Sequence, residues 1–341
     1  MGFCSRFMIC TLAAATPLVL YAQGPSQPTP NTRPPGGVHY LEPGQRPVVI
    51  FPTVAAIQQW RAQMAASGQL TTASRLLYYH GGVGCVGVEK SPKVYLVRWG
   101  SQWTNNDPSG EAKILENFYR GAGGSSWLNS VTQYCEGIAS GKYFCNGGTH
   151  AGNPPGIDAG IWVDTAGLAP AHPTQSQLAG EARRAAQHFG NTTATRNASA
   201  QYVIATAHKN NATGFGTKYC SWHSATSSAY GNVAYTNLPY ITDAGATCGA
   251  NFNGLGPKAG ITLVSGHEMA ESITDQFPDG GWLDANGSEN GDKCAWTFNV
   301  NLVPFSNGSQ WKIQGEWSNA AYSSGNGYPN RSGQKGCLDG H

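Results

Sequence analysis

Charge is scarce in this chain. Of its 341 residues, 21 are Lys or Arg and 19 are Asp or Glu, about half the usual share for a globular protein. Coiled coils and helical bundles need many long, charged helix formers, so both are excluded. The two signs nearly balance at a formal net charge of +2, which leaves no basic field of the kind that captures nucleic acid. Beyond the first two dozen residues, no stretch reaches the roughly 18 apolar residues of a membrane span. Several catalytic signatures are missing as well. Neither a G-x-S-x-G elbow nor a G-x-x-x-x-G-K-[ST] loop occurs, which removes support for a serine hydrolase or a P-loop enzyme. No C-x-x-C occurs either, so a zinc knuckle has no basis.

What is abundant is glycine, proline and aromatic surface: 45 Gly, 20 Pro, 10 Trp, 15 Tyr and 11 Phe, with hydrophobic residues at 40%. That is enough apolar area to offset chain entropy, so the chain is expected to fold. Arg6, the apolar run from Phe7 to Tyr21 and the small Ala22 read as a signal peptide over residues 1–22, which implies export. Export leaves seven cysteines, and an oxidising compartment implies three disulfides and one thiol. Pairing neighbours gives Cys135 with Cys145, Cys220 with Cys248 and Cys294 with Cys337, leaving Cys85. Residues 23–75 are expected to be a Pro-rich linker and possible pro-segment, extended to about Pro47 and helix-compatible from Val54 to about Arg75.

The globular body is expected over residues 76–341 as a single domain of α/β or α+β class. The run Val94 to Trp99 reads as a strand, and Tyr202 to Ala205 as a buried one. Ser109 is placed to cap a helix carrying Ile114, Leu115 and Phe118. Thr174 is placed to cap another carrying Leu178, Ala182, Ala185 and Phe189, stopped by Gly190. Six N-x-[ST] sequons begin at Asn191, Asn197, Asn211, Asn286, Asn307 and Asn330.

Chemistry concentrates in His267-Glu268-Met269-Ala270-Glu271. On a helix, His267 and Glu271 lie one turn and about 40° apart and can reach one cation, while Glu268 stands about 100° away. This is the geometry of the H-E-x-x-H zinc helix with Glu271 as second ligand and Glu268 as general base for a metal-bound water. Given the composition, roughly 0.03 such patterns are expected by accident. A third ligand is expected downstream: Glu289 is preferred, with Asp284 and Asp292 as rivals. Asp275 is about 12 Å of helix rise from His267 and reaches the same ion poorly. A calcium loop of Asp284, Asn286, Ser288 and Asp292 is the blander reading, although it departs from the EF-hand pattern. His223 and His80 read as structural histidines first, His223 with a ligand or orienting role as the alternative. Trp282 and Trp317 read as core residues or, if exposed, as platforms for sugars.

The segments Tyr78-Tyr79-His80-Gly81-Gly82, Trp99-Gly100, Tyr219 to His223, Cys248-Gly249, His267 to Glu271, Trp282, Glu289 to Cys294 and Glu316 to Asn319 together resemble the EXORDIUM-like, phosphate-induced protein family. The resemblance covers about residues 76–325 and differs at Leu283 and in sparser cysteines around Cys220. It implies an extracellular protein linked to growth and the cell wall, with Glu271 native to the motif. Two functions follow as expectations. The first is a secreted metal-dependent hydrolase, a zincin-like endopeptidase with one divalent metal, zinc before manganese or calcium, acting on polypeptide. The second is a noncatalytic EXORDIUM-like protein with a structural metal and a cell-wall partner.

Overall fold

The computed structural model describes residues 34–67 and 75–341; the expected signal peptide lies outside the described residues. Seven strands build one mixed sheet: β1 Gly37–His39, β2 Val48–Pro52, β3 Lys93–Trp99, β4 Asp158–Asp164, β5 Ala200–Thr206, β6 Tyr219–Ser228 and β7 Gly231–Leu238. Their order across the sheet is β1-β2-β6-β7-β5-β3-β4. The pairs from β1 to β7 are antiparallel, and those from β7 to β4 are parallel. Four longer helices accompany it: α1 Val54–Ala66, α2 Glu111–Ala122, α3 Gln175–His188 and α4 Ala259–Thr274. A mixed α/β or α+β class is thus as the sequence implied.

The connections explain the layers. From β3 through α2 to β4 the chain steps outward, and from β4 through α3 to β5 it steps back past β3. Right-handed crossovers in opposite directions put α2 and α3 on opposite faces. Side-chain alternation agrees. Val94, Leu96, Val203 and Ala205 join the core that holds α2 and α4. Tyr95, Val97, Trp99, Tyr202 and Ile204 join the core under α3. Because both faces are covered, these strands read as near-continuous apolar runs.

Thr174 caps α3 as expected and forms a reciprocal capping box with Gln177. Gly190 follows the helix at φ +71°, a conformation glycine adopts freely. The start of α2 differs from expectation: Asp107 caps it by accepting from the backbone N of Glu111 at 2.8 Å and Ala112 at 3.2 Å. Ser109 instead shares a hydrogen bond with Thr242.

The larger correction concerns the segment before residue 76. β1 and β2 belong to the main sheet, β2 is buried along its length, and α1 follows it directly and ends at Ala66. The expected helix end at Arg75 lies past residues 68–74, which are outside the described residues. Proline misled because Pro43 and Pro47 sit in the connection between two strands, where a missing N–H costs nothing to the sheet. The folded body therefore includes β1, β2 and α1.

The three disulfides join Cys135 to Cys145, Cys220 to Cys248 and Cys294 to Cys337, the pairing expected from adjacency; Cys85 is exposed and joins none of them. No helix among the described residues is long and apolar enough to cross a membrane. Of the six sequons, Asn191, Asn197 and Asn330 are buried; the Asn197 amide bonds to the Asn191, Thr193 and Tyr230 carbonyls.

Candidate metal centre

All sixteen residues of α4 are buried. A helix that is apolar almost all round belongs in the middle of a protein, and its small residues permit close contact. A Cβ at Gly266, for example, would stand 2.7 Å from Ile313. Into this interior the sequence places His267, Glu268 and Glu271, each at most 1% exposed.

Three other parts of the chain meet them. β2 supplies Phe51, whose ring stacks on His267 with centroids 3.8 Å apart. β6 supplies Ser221 and His223, two residues apart and therefore on one face of the strand. The short helix α5, Asn290–Lys293, and the residue before it supply Glu289, Gly291 and Asp292. At Gly291 a Cβ would lie 2.8 Å from His267 Nδ1 and 2.9 Å from Glu271 Oε1, so only glycine lets this backbone approach the pair.

His267 Nε2 lies 3.1 Å from Glu271 Oε1, and His267 Nδ1 lies 3.1 Å from the side-chain amide of Gln314. The Asp292 backbone N donates to Glu271 Oε1 at 2.9 Å, while Asp292 Oδ2 accepts from the Glu289 backbone N at 3.0 Å. On the other side, Ser221 Oγ donates to Glu268 Oε1. His223 Nδ1 is 3.2 Å from Glu268 Oε2 and 3.7 Å from Glu271 Oε2, and His223 Nε2 is 3.5 Å from Glu289 Oε1. Two donor groups result, each with its atoms within 4.8 Å of one another: His267, Glu271 and Asp292, and His223, Glu268 and Glu271.

The helix thus brings His267 and Glu271 together as the spacing implied. Of the downstream carboxylates, Asp292 joins that pair, whereas Glu289 faces His223. Asp284 is engaged in its own turn, accepting from the backbone of Asn286 and Ser288 and pairing with Lys293 at 3.4 Å. Asp275 is likewise occupied, accepting from the backbone of Asp279, Gly280 and Gly281. His80 is exposed and apart from the cluster. His223 was undervalued, because its partners are 45 or more residues away in sequence; its one local signal was the two-residue spacing from Ser221. Trp282 and Trp317 are fully buried and offer no platform for a sugar; the Trp282 ring donates to the Cys135 carbonyl at 2.8 Å.

Burial dominates the electrostatics of the cluster. Burial, and then the charges of their carboxylate neighbours, hold Glu289, Asp292 and Glu316 well above the usual range. Burial does the same to Glu271, although the charge of His223 opposes it. Burial also raises Asp275 to about 7. For His267, burial pushes the pKa down. Burial opposes charge on His223 too, but the hydrogen bond and charge of Glu268 and the charge of Glu271 outweigh it and raise its pKa. Glu271 Oε2, both Glu289 oxygens, Asp292 Oδ1, His223 Nε2 and His267 Nε2 are all buried without a hydrogen-bond partner. Buried polar atoms left without a partner are costly unless something satisfies them. A metal ion does so for several at once, and the buried His/Glu/Glu group can hold one.

Comparison with protein-family models, with curated proteins and with solved structures gave no match for the chain.

Proposed function

We propose that this protein is a secreted hydrolase that activates water on one divalent cation, with polypeptide as its substrate class. His267, Glu271 and Asp292 hold the ion, and Glu268 takes the proton from the water. The observation that carries this reading is the set of orphaned ligand atoms around a carboxylate held by Ser221. A bound divalent ion makes water acidic enough to attack a polarised carbonyl. Zinc suits the mixed nitrogen and oxygen donors, and manganese or calcium suits their carboxylate excess. The three disulfides fit an oxidising, extracellular location, and the resemblance to EXORDIUM-like proteins points the same way.

A second reading has its own support. His267 and Glu271 are fully buried, Asp292 is half-buried, and the backbone at Gly36 lies directly against Asp292. A metal enclosed in this way suits a noncatalytic extracellular or cell-wall protein with a structural ion. Glu268→Gln separates the two. It keeps the side chain's shape but cannot accept a proton. A screen on casein and on glycans, with and without chelator, should find a chelator-sensitive proteolysis that this variant lowers at least about 100-fold with metal content retained. Full activity in Glu268→Gln would remove Glu268 from the mechanism; bound metal with no hydrolysis on any substrate would favour the structural ion.

A further inference from the structure

We propose that Glu271 bridges two cation positions, and that the second, formed by His223, Glu268 and Glu271, is an inhibitory site for a divalent transition-metal ion such as zinc. The two oxygens of Glu271 face different histidines. Oε1 is 3.1 Å from His267 Nε2, and Oε2 is 3.7 Å from His223 Nδ1. Metal–ligand bonds of about 2.0–2.1 Å in a tetrahedron separate neighbouring donors by about 3.3 Å. The distances from His223 Nδ1 to Glu268 Oε2, 3.2 Å, and to Glu271 Oε2, 3.7 Å, bracket that edge. Glu271 Oε2 is buried and has no hydrogen-bond partner, so the contact an ion there displaces is the one between His223 Nδ1 and Glu268 Oε2. A carboxylate used through both oxygens sets two ions about 3.5–4 Å apart, a spacing common in two-metal sites.

Charge supports a second ion. One dication offsets Glu271 and Asp292, which leaves Glu268 and Glu289 on either side of the His223 ring. A second dication would face these two carboxylates. The histidine nitrogen favours zinc over magnesium.

The consequence for the proposed hydrolase is inhibition. The Glu268 oxygen that faces His223 becomes a ligand, and its other oxygen stays with Ser221. A carboxylate with one oxygen on a metal and the other accepting a hydrogen bond no longer takes a proton from water. The metal the enzyme needs therefore silences it in excess. The binding claim stands by itself, whereas the inhibition rests on the hydrolase reading.

The test uses the full secreted chain, stripped with chelator and titrated with zinc, with bound metal counted by mass spectrometry and affinities read by calorimetry. Two buried ions of unequal affinity are expected. Because surface histidines also take up zinc, the decisive quantity is the difference between variants: His223→Ala should bind one ion fewer than wild type, and so should His223→Gln, which keeps a polar side chain in the ring's place. Near-UV circular dichroism confirms that each is folded. Equal uptake by wild type and either folded variant, or saturation of wild type at one ion, overturns the second site. In a chelator-sensitive proteolysis assay, the rate should rise through the first equivalent and fall at least about 10-fold through the second. One ion with active hydrolysis sinks the second site alone. Two ions with no hydrolysis under any loading keeps the site and sinks the hydrolase. No bound ion sinks both.

Discussion

The two faces of the sheet solve burial in different ways. Under α3, small helix residues, Ala179, Ala182, Ala185 and Ala186, meet large strand residues, Tyr95, Tyr202, Trp222 and Tyr235. Charge on that side is answered at the edge, where Arg184 pairs with Glu181 and with Asp164, each at 2.7 Å. Under α4 the same strands bury Gln201, Ser221 and His223 instead, opposite a helix that carries Glu268 and Glu271. The first face is mainly packed aromatic and alkyl surface, with a few scattered buried polar atoms such as Trp222 Nε1 left unpaired. The second gathers its unsatisfied polar atoms into one cluster of histidines and carboxylates, and its stability should depend on what binds there.

The largest effect should come from the apolar face. Trp222 is fully buried against Tyr235 and the α3 core. Trp222→Ala removes a whole ring and should cost about 3–5 kcal/mol. Measured by denaturant unfolding, that loss should be similar with metal present and with metal removed. A loss that depended strongly on metal would show that the two faces are energetically coupled and would break the contrast.

Next in size is metal removal, which should act on the other face. A ligand at 100 times its dissociation constant stabilises by about 2.7 kcal/mol, so a chelator should lower the melting temperature by several degrees. The pH dependence should then change sign. Burial raises Glu89 to about 8 and Glu111 to about 7, both above the ordinary carboxylate value. Groups raised in this way favour the folded state when protonated. Their stabilisation is complete below about pH 4.5 and is lost as pH rises through 7 to 8. Metal-free protein should therefore melt higher at pH 5.5 than at pH 8. Metal-loaded protein should do the reverse, as protons displace the ion from its carboxylates. Identical pH profiles with and without metal would argue that no ion is held by the carboxylates under α4.

How much of this was legible in the sequence follows the same division. Local signals survived: the Thr174 cap, the apolar runs of β3 and β5, the three neighbouring disulfides, and the one-turn spacing of His267 and Glu271. Signals that depend on distant pairing did not. The strand character of Gly37–His39 and Val48–Pro52 was hidden by flanking prolines, and the pair joins the sheet only where β2 meets β6, more than 160 residues later. His223 looked ordinary for the same reason. The choice among Glu289, Asp284 and Asp292 depended on a turn whose hydrogen bonds consume Asp284 and leave Asp292 beside Glu271. Composition carries no trace of such bonds.

The smallest expected effect sharpens the contrast at the helix starts. α3 begins with a reciprocal box: Thr174 Oγ1 accepts from the Gln177 backbone N at 3.1 Å, and Gln177 Oε1 accepts from the Thr174 backbone N at 2.9 Å. α4 has no side-chain cap; packing on all sides holds it instead. Thr174→Ala removes one half of the box at an exposed position and should cost about 1 kcal/mol. The change touches neither core nor cluster, so metal content should stay at the wild-type value. A loss of metal in Thr174→Ala, measured on folded protein, would mean that α3 and the metal centre share one cooperative unit, and that the apparent independence of the two faces is wrong.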